Sequence, residues 1–272
     1  MRTLVLAVGF LGWLGPSVSD QRGATTSPVE LVMAIRRADY EGNRSELRRL
    51  WDELKPFVGG GAASSRVRYW RAFALWRRAI NGFNERAPAV ELHDDLEAAS
   101  TEFAAAWVDD PTFWDAKIGA LSCLHNLIFL HRAEPDQLRV WLSRAAPLQR
   151  ELQAVAAENP RFLWVRGANE WHNPPERGGG HETAIRTYLK GLELAQQRPA
   201  SPDPLEPSWG EAELLMNLAF AHLHQRAPDL KRAEAYALAA LKLVPSWHYV
   251  RDLLLPQIRK HGPEFLERPI GP

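Results

Sequence analysis

Residues 214–245 read LLMNLAFAHLHQRAPDLKRAEAYALAALKLVP, and this stretch decides the fold. Apolar residues recur at three and four on either side of a break at Ala227-Pro228, which is the spacing of two amphipathic helices joined by a short turn. Phe220, Ala221, Ala233, Ala237 and Ala240 fall where the two helices of such a hairpin must approach closely. Pro245 then ends the second helix.

The same period runs outward through the chain. From residue 28 onward Ala, Leu, Glu and Arg dominate, and alternating runs of Val, Ile and Thr are missing. Breakers divide the chain into helices near 28–40, 44–56, 64–82, 88–108, 112–131, 135–158, 160–172, 181–197, 208–226, 229–243 and 246–260, about eleven in all. The expected class is all-α. Ser208 followed by Glu211 reads as a capping box at one helix start.

A second copy of the small-residue pattern appears as Ala99, Phe103, Ala106 and Pro111. Pro111 and Pro245 lie 134 residues apart, close to four units of 34, and Pro160 falls between them. Weaker echoes are Ala184, Tyr188 and Gly191, and Leu148, Leu152 and Val155. On these residues the chain resembles the tetratricopeptide repeat. The resemblance is strong over 214–245, fair over 99–111 and degenerate over the rest of 28–261.

That resemblance implies a right-handed α-solenoid of stacked antiparallel helix hairpins over residues 28–261, each hairpin burying its apolar face against its neighbours. It also implies that the first helix of each hairpin faces a concave groove. Carrying the family register forward puts Asp115, Ser122, His125 and Asn126 on that face, then Trp164 and Trp171, then His222 and Arg226, then Tyr249 and Asp252. Aromatics mixed with hydrogen-bonding groups suit a protein or peptide partner, or a small polar ligand.

Composition narrows the classes. Lys and Arg together number 33, as do Asp and Glu, so no global field draws the chain to nucleic acid. One cysteine, Cys123, excludes an intrachain disulfide framework, and its apolar surroundings read as those of a small buried hydrophobe. Arg2, the apolar run from Thr3 to Gly15 and the small residues Ser17-Val18-Ser19 read as a signal peptide over 1–19 cleaved after Ser19. The run is shorter than the roughly 20 residues that span a bilayer, so no stable membrane insertion is expected after cleavage. The expected location is periplasmic or secreted, with a disordered start at 20–27 and a tail at 262–272. Asn43-Arg44-Ser45 matches the glycosylation acceptor pattern.

The most distinctive local pattern is the run NPPERGGG at 173–180, followed by a helix opening at His181. His172, Gly178, Gly179, Gly180 and His181 are the candidate loop residues. Three glycines before a helix could offer backbone N–H groups to an anion, although the Gly-Lys-Ser/Thr ending of a phosphate loop is missing. The loop resembles one in periplasmic solenoids related to the T component of TRAP transporters, which implies an accessory of an envelope transport system, its partner a transporter component. Glu170, His172, His181 and Glu182 could converge as a metal or acid/base site if the loop folds back. No nucleophile elbow or His-Glu-x-x-His pattern occurs, so no catalytic residue, metal or cofactor is assigned.

Three readings follow: a non-catalytic exported binding or scaffold protein, a small-molecule-binding accessory of a transporter, or an enzyme with its site at the glycine loop. The Pro-rich stretch 198–208 reads either as a long loop or as a hinge.

Overall fold

The computed structural model describes residues 26–59 and 62–260. The expected signal peptide, most of the 20–27 start, His261 and the 262–272 tail lie outside the described residues. Within them the chain is all-helical, with eleven α-helices and no strand. They are α1 (Pro28–Tyr40), α2 (Arg44–Glu53), α3 (Ala62–Glu85), α4 (Ala89–Asp109), α5 (Trp114–Leu130), α6 (Pro135–Val155), α7 (Pro160–His172), α8 (His181–Gln197), α9 (Glu211–His224), α10 (Leu230–Leu243) and α11 (Leu255–Lys260). A π-helical turn, Tyr249–Leu254, leads into α11. Among the described residues no helix is long and apolar enough to cross a membrane.

Local chemistry sets the helix starts. Ser27 caps α1 in a reciprocal box with Glu30, and Asn43, Asn159 and Asp229 cap α2, α7 and α10 by accepting from first-turn N–H groups. The expected box at Ser208 does not form. Instead α9 starts at Glu211, and Glu213 Oε2 accepts from the Gly210 N–H at 2.7 Å. The start is displaced because Trp209 turns inward: its indole N–H donates to the Tyr69 hydroxyl at 2.7 Å.

The hairpins stack in sequence. The odd-numbered helices α1, α3, α5, α7 and α9 touch one another in that order and form an inner layer, while α2, α4, α8 and α10 pack on their odd-numbered neighbours from outside. Close approach of neighbouring helices is set by glycine facing an aromatic ring, between hairpins at α4–α5 and within one at α7–α8. A methyl group at Gly119 of α5 would lie 2.4 Å from Phe103 Cζ of α4, and one at Gly167 of α7 would lie 2.4 Å from Tyr188 Cε1 of α8. One device therefore serves both kinds of contact. Ala99, Phe103 and Ala106 on α4, and Ala233, Ala237 and Ala240 on α10, are fully buried in the same role.

The long helix α3 is the hub of the stack. Tyr69, Trp70, Phe73 and Trp76 are all buried on it, and Trp76, Trp164 and Trp209 meet pairwise with ring centroids 5.5–5.8 Å apart. Such aromatic pairs contribute about 0.5–1.5 kcal/mol each beyond the area they bury. The 198–208 segment is a loop docked on α3: Trp70 donates to the Leu205 carbonyl at 2.7 Å and Arg66 bonds Glu206 at 2.7 Å. The two ends of the stack also meet, since Tyr40 at the end of α1 donates to Glu213 Oε1 at 2.7 Å and packs on Trp247. The concave side is thereby filled at its centre and left open at one end of the inner helices.

Candidate functional site

At that end four inner helices carry the same spacing of inward positions. On α3 it is Arg77, Ile80, Asn81 and Asn84; on α5, Ser122, His125, Asn126 and Phe129; on α7, Val165, Ala168, Asn169 and His172; on α9, Glu213, Met216, Asn217 and Phe220. Positions i, i+3, i+4 and i+7 share one helix face. The i+4 position is asparagine every time.

All of these residues except Glu213, which bonds Tyr40 and Gly210, line a two-lobed cavity. One lobe, about 220 Å³, lies between α3, α7, α8 and α9 and the segment at Trp247 and Tyr249; the other, about 610 Å³, lies between α3, α5 and α7. Ile80, Asn84, Trp164, Ala168 and His172 border both. Arg77, Asn81 and Trp164 are buried and make the floor, while Asn84, Phe129, Arg132 and His172 are exposed at the rim.

No Asp or Glu lines either lobe. Arg77 is occupied beneath the floor by Asp39, which accepts from its Nε at 2.8 Å, and Asn81 donates to the same residue. Arg132 donates to the Phe129 carbonyl and lies over the Phe129 ring. The two histidines are held neutral. Burial pulls the His125 imidazole down to about 4 despite a hydrogen bond with Gln149, and burial with the nearby Arg132 and His181 lowers His172. Gln149 Oε1 faces His125 Nε2 at 3.0 Å. The His125 Nδ1 and the Trp164 indole N–H are both buried with no protein partner. The lining is therefore free of carboxylates, with its inward Arg77 charge paired to Asp39, aromatic, and rich in groups that donate and accept at once.

Of the residues placed on the groove by register, Ser122, His125, Asn126, Trp164, Trp171 and Tyr249 line this cavity together, with His172 from the loop set. Asp115 does not join them. It sits two turns deeper on the same face of α5, clasped by Arg161 at 2.7 and 2.8 Å and by Asn159 at 3.0 Å. His222 is buried against the Tyr236 ring, and Asp252 is exposed and paired with Arg251 and His248. Arg226 lies near the glycine loop, bordering a separate depression with Gly179, Gly180 and His181.

The loop itself is spent on its own structure. The Gly178, Gly179 and Gly180 N–H groups donate to the carbonyls of Pro175, Pro174 and Glu170, so none of the three is free for an anion. Gly178 (φ 76°) and Gly180 (φ 103°) hold a left-handed backbone, and a methyl group at Gly179 would lie 2.3 Å from the Asn173 carbonyl. His181 stacks flat on Trp171, centroids 3.8 Å apart. Glu170 is buried and accepts from Arg166 and Thr187, while Glu182 is exposed, so the four suggested ligands do not converge. Among the described residues no group of three His, Cys, Asp or Glu is placed to hold a metal ion. Asp95 on α4 is buried and paired with Arg78 at 2.5 Å.

Sequence reading missed Ile80, Asn81, Asn84, Asn169, Asn217 and Phe220. A signal was present. The chain holds eight asparagines, of which Asn43 and Asn159 are helix caps and the other six, including Asn173 at the end of α7, line the cavity. An asparagine inside a helix is up to about 0.7 kcal/mol less favourable than alanine, so five interior ones converging on one space ask for a reason other than folding. In comparisons with known proteins, no family model, no curated protein and no solved structure matches the chain.

Proposed function

We propose that this chain is a non-catalytic, exported binding protein of tetratricopeptide-like build, and that it takes a small ligand into the cavity between α3, α5, α7 and α9. The observation that carries the reading is the convergence of six asparagines with Trp164, Trp171, Phe220 and Tyr249 around a space with no carboxylate in its lining. Binding sites of this kind combine a mostly apolar wall with a few polar groups that fix orientation. A role as the ligand-binding accessory of an envelope transport system fits the apolar N-terminal run and the glycine-loop resemblance.

A protein partner is the second reading. It rests on α6, an outer helix that exposes Val140, Leu142 and Val155, each about half accessible. The two readings separate in one experiment. A thermal-shift screen of the purified protein should find small polar compounds that raise Tm, because a ligand bound only by the folded state stabilises it. The gain should vanish in Trp171→Ala and persist in a Val140→Ser, Leu142→Ser variant. Loss of the gain in the α6 variant alone would point to that surface instead.

A further inference from the structure

We propose that the cavity ligand is an uncharged saccharide; this rests on the cavity being the binding site. A sugar ring presents apolar C–H faces to either side and hydroxyls around its edge. The C–H faces suit the aromatic rings of Trp171, Phe220 and Tyr249, and each hydroxyl, being donor and acceptor at once, suits a carboxamide, which is also both. Asn84 and Asn169 make no side-chain hydrogen bond within the described chain, so their amides stand ready at the rim and wall.

Two further polar atoms call for a partner. The Trp164 indole N–H is an unmet donor on a residue only 7 % exposed, and the His125 Nδ1 ring nitrogen has no partner. Burying such atoms without partners is costly, so both would gain from a partner if a ligand displaced the side chains that cover them. Charged ligands match less well. A cation would find no carboxylate in the lining, and an anion would find Arg77, already paired with Asp39, and Arg132, at the rim and already bonded to the Phe129 carbonyl. A fatty or aromatic hydrocarbon would leave the Asn84 and Asn169 amides without a partner.

The test is a binding panel on the purified full chain, read by calorimetry and by tryptophan emission. It comprises neutral mono- to tetrasaccharides of glucose, galactose, mannose and N-acetylglucosamine, with glucuronate, glucosamine, trialanine and decanoate as the competing chemistries. At least one neutral saccharide should bind saturably. The exposed Asn84→Leu substitution, and separately Asn169→Leu, should weaken it by about tenfold with Tm unchanged, the size expected for one or two lost hydrogen bonds. If trialanine or decanoate binds, loses affinity in the same variants, and no neutral sugar binds, the saccharide assignment is overturned while the cavity stands as the site. If nothing on the panel binds, or a sugar binds undiminished by both variants, the assignment fails and the cavity reading fails with it.

Discussion

Tyr40, the last residue of the first helix, packs edge-on against Trp247, beyond the last hairpin, with ring centroids 5.1 Å apart. Its hydroxyl also donates to Glu213 at the start of α9. A stack of hairpins ordinarily has free ends, each unit touching only its neighbours. Here the ends are joined, and the join forms one wall of the cavity because Trp247 and Arg77, the partner of Asp39 beside Tyr40, both line it.

Breaking the join should destabilise the whole chain rather than fray one end. Tyr40→Phe leaves a buried Glu213 oxygen without its donor and should cost about 1–3 kcal/mol. Trp247→Ala empties a site where the indole is 2 % exposed and should cost about 3–5 kcal/mol. Urea unfolding followed by far-ultraviolet circular dichroism measures both; values within error of wild type would mean that the ends do not hold each other.

The Asp115–Arg161 pair should be structural. Burial pushes the Asp115 carboxyl up, but the Arg161 guanidinium and the Asn159 amide outweigh it and hold the carboxyl below its ordinary value. The pair therefore contributes stability above the ordinary carboxylate range, about pH 4, and the contribution is lost as pH falls below it. Asp115→Asn leaves a buried guanidinium uncompensated and should cost about 3–5 kcal/mol at neutral pH, with the cavity's ligand affinity unaltered once the protein is folded. A loss of affinity with full stability would instead make Asp115 a ligand contact.

His125 should give the protein a mild acid sensitivity. Its folded value of about 4 lies below the 6.5 of the free side chain. The unfolded chain thus takes up the proton first, so stability is full above about pH 6.5 and falls as pH drops towards 4, by at most about 3 kcal/mol. His125→Gln should flatten that part of the stability curve. An unchanged slope between pH 6.5 and 4 would show that His125 is free to charge in the folded state.

Glycine at the two hairpin contacts should resist even one methyl group. Gly119→Ala and Gly167→Ala each press a carbon into the face of a buried ring, Phe103 or Tyr188, and should cost about 1–3 kcal/mol apiece. Tm shifts of similar size at the two sites would show that the contact between hairpins is as tight as the one within a hairpin. A shift at one only would mean that the other hairpin has room to give.

Much of this architecture was legible in the residues. The helices over 28–40, 160–172 and 181–197 fall where breakers and caps put them, because proline, Ser27, Asn159 and the glycine loop act locally. Cys123 is buried, as its apolar neighbours implied. The inner face was legible through helical period alone: Ser122, His125 and Asn126 share a stripe with Asp115, and only depth along α5 separates a cavity wall from a buried ion pair. That depth depends on Arg161, whose approach no local pattern announces. The same holds for Trp209, which moved a helix start by docking on Tyr69, and for Tyr40 meeting Trp247 across most of the chain. The six cavity asparagines were visible as helix-interior oddities, but their convergence comes from the stacking of four hairpins.

The cavity is tested most directly by fluorine NMR of the 5-fluorotryptophan-labelled protein, titrated with the neutral saccharides. Trp164, Trp171 and Trp247 line the cavity, whereas Trp51, Trp107 and Trp141 lie away from it. Occupancy should move the resonances of the first three and leave the others in place, each assigned by single Trp→Phe substitution. Shifts confined to Trp51, Trp107 or Trp141, or no shift at any tryptophan, would contradict the account.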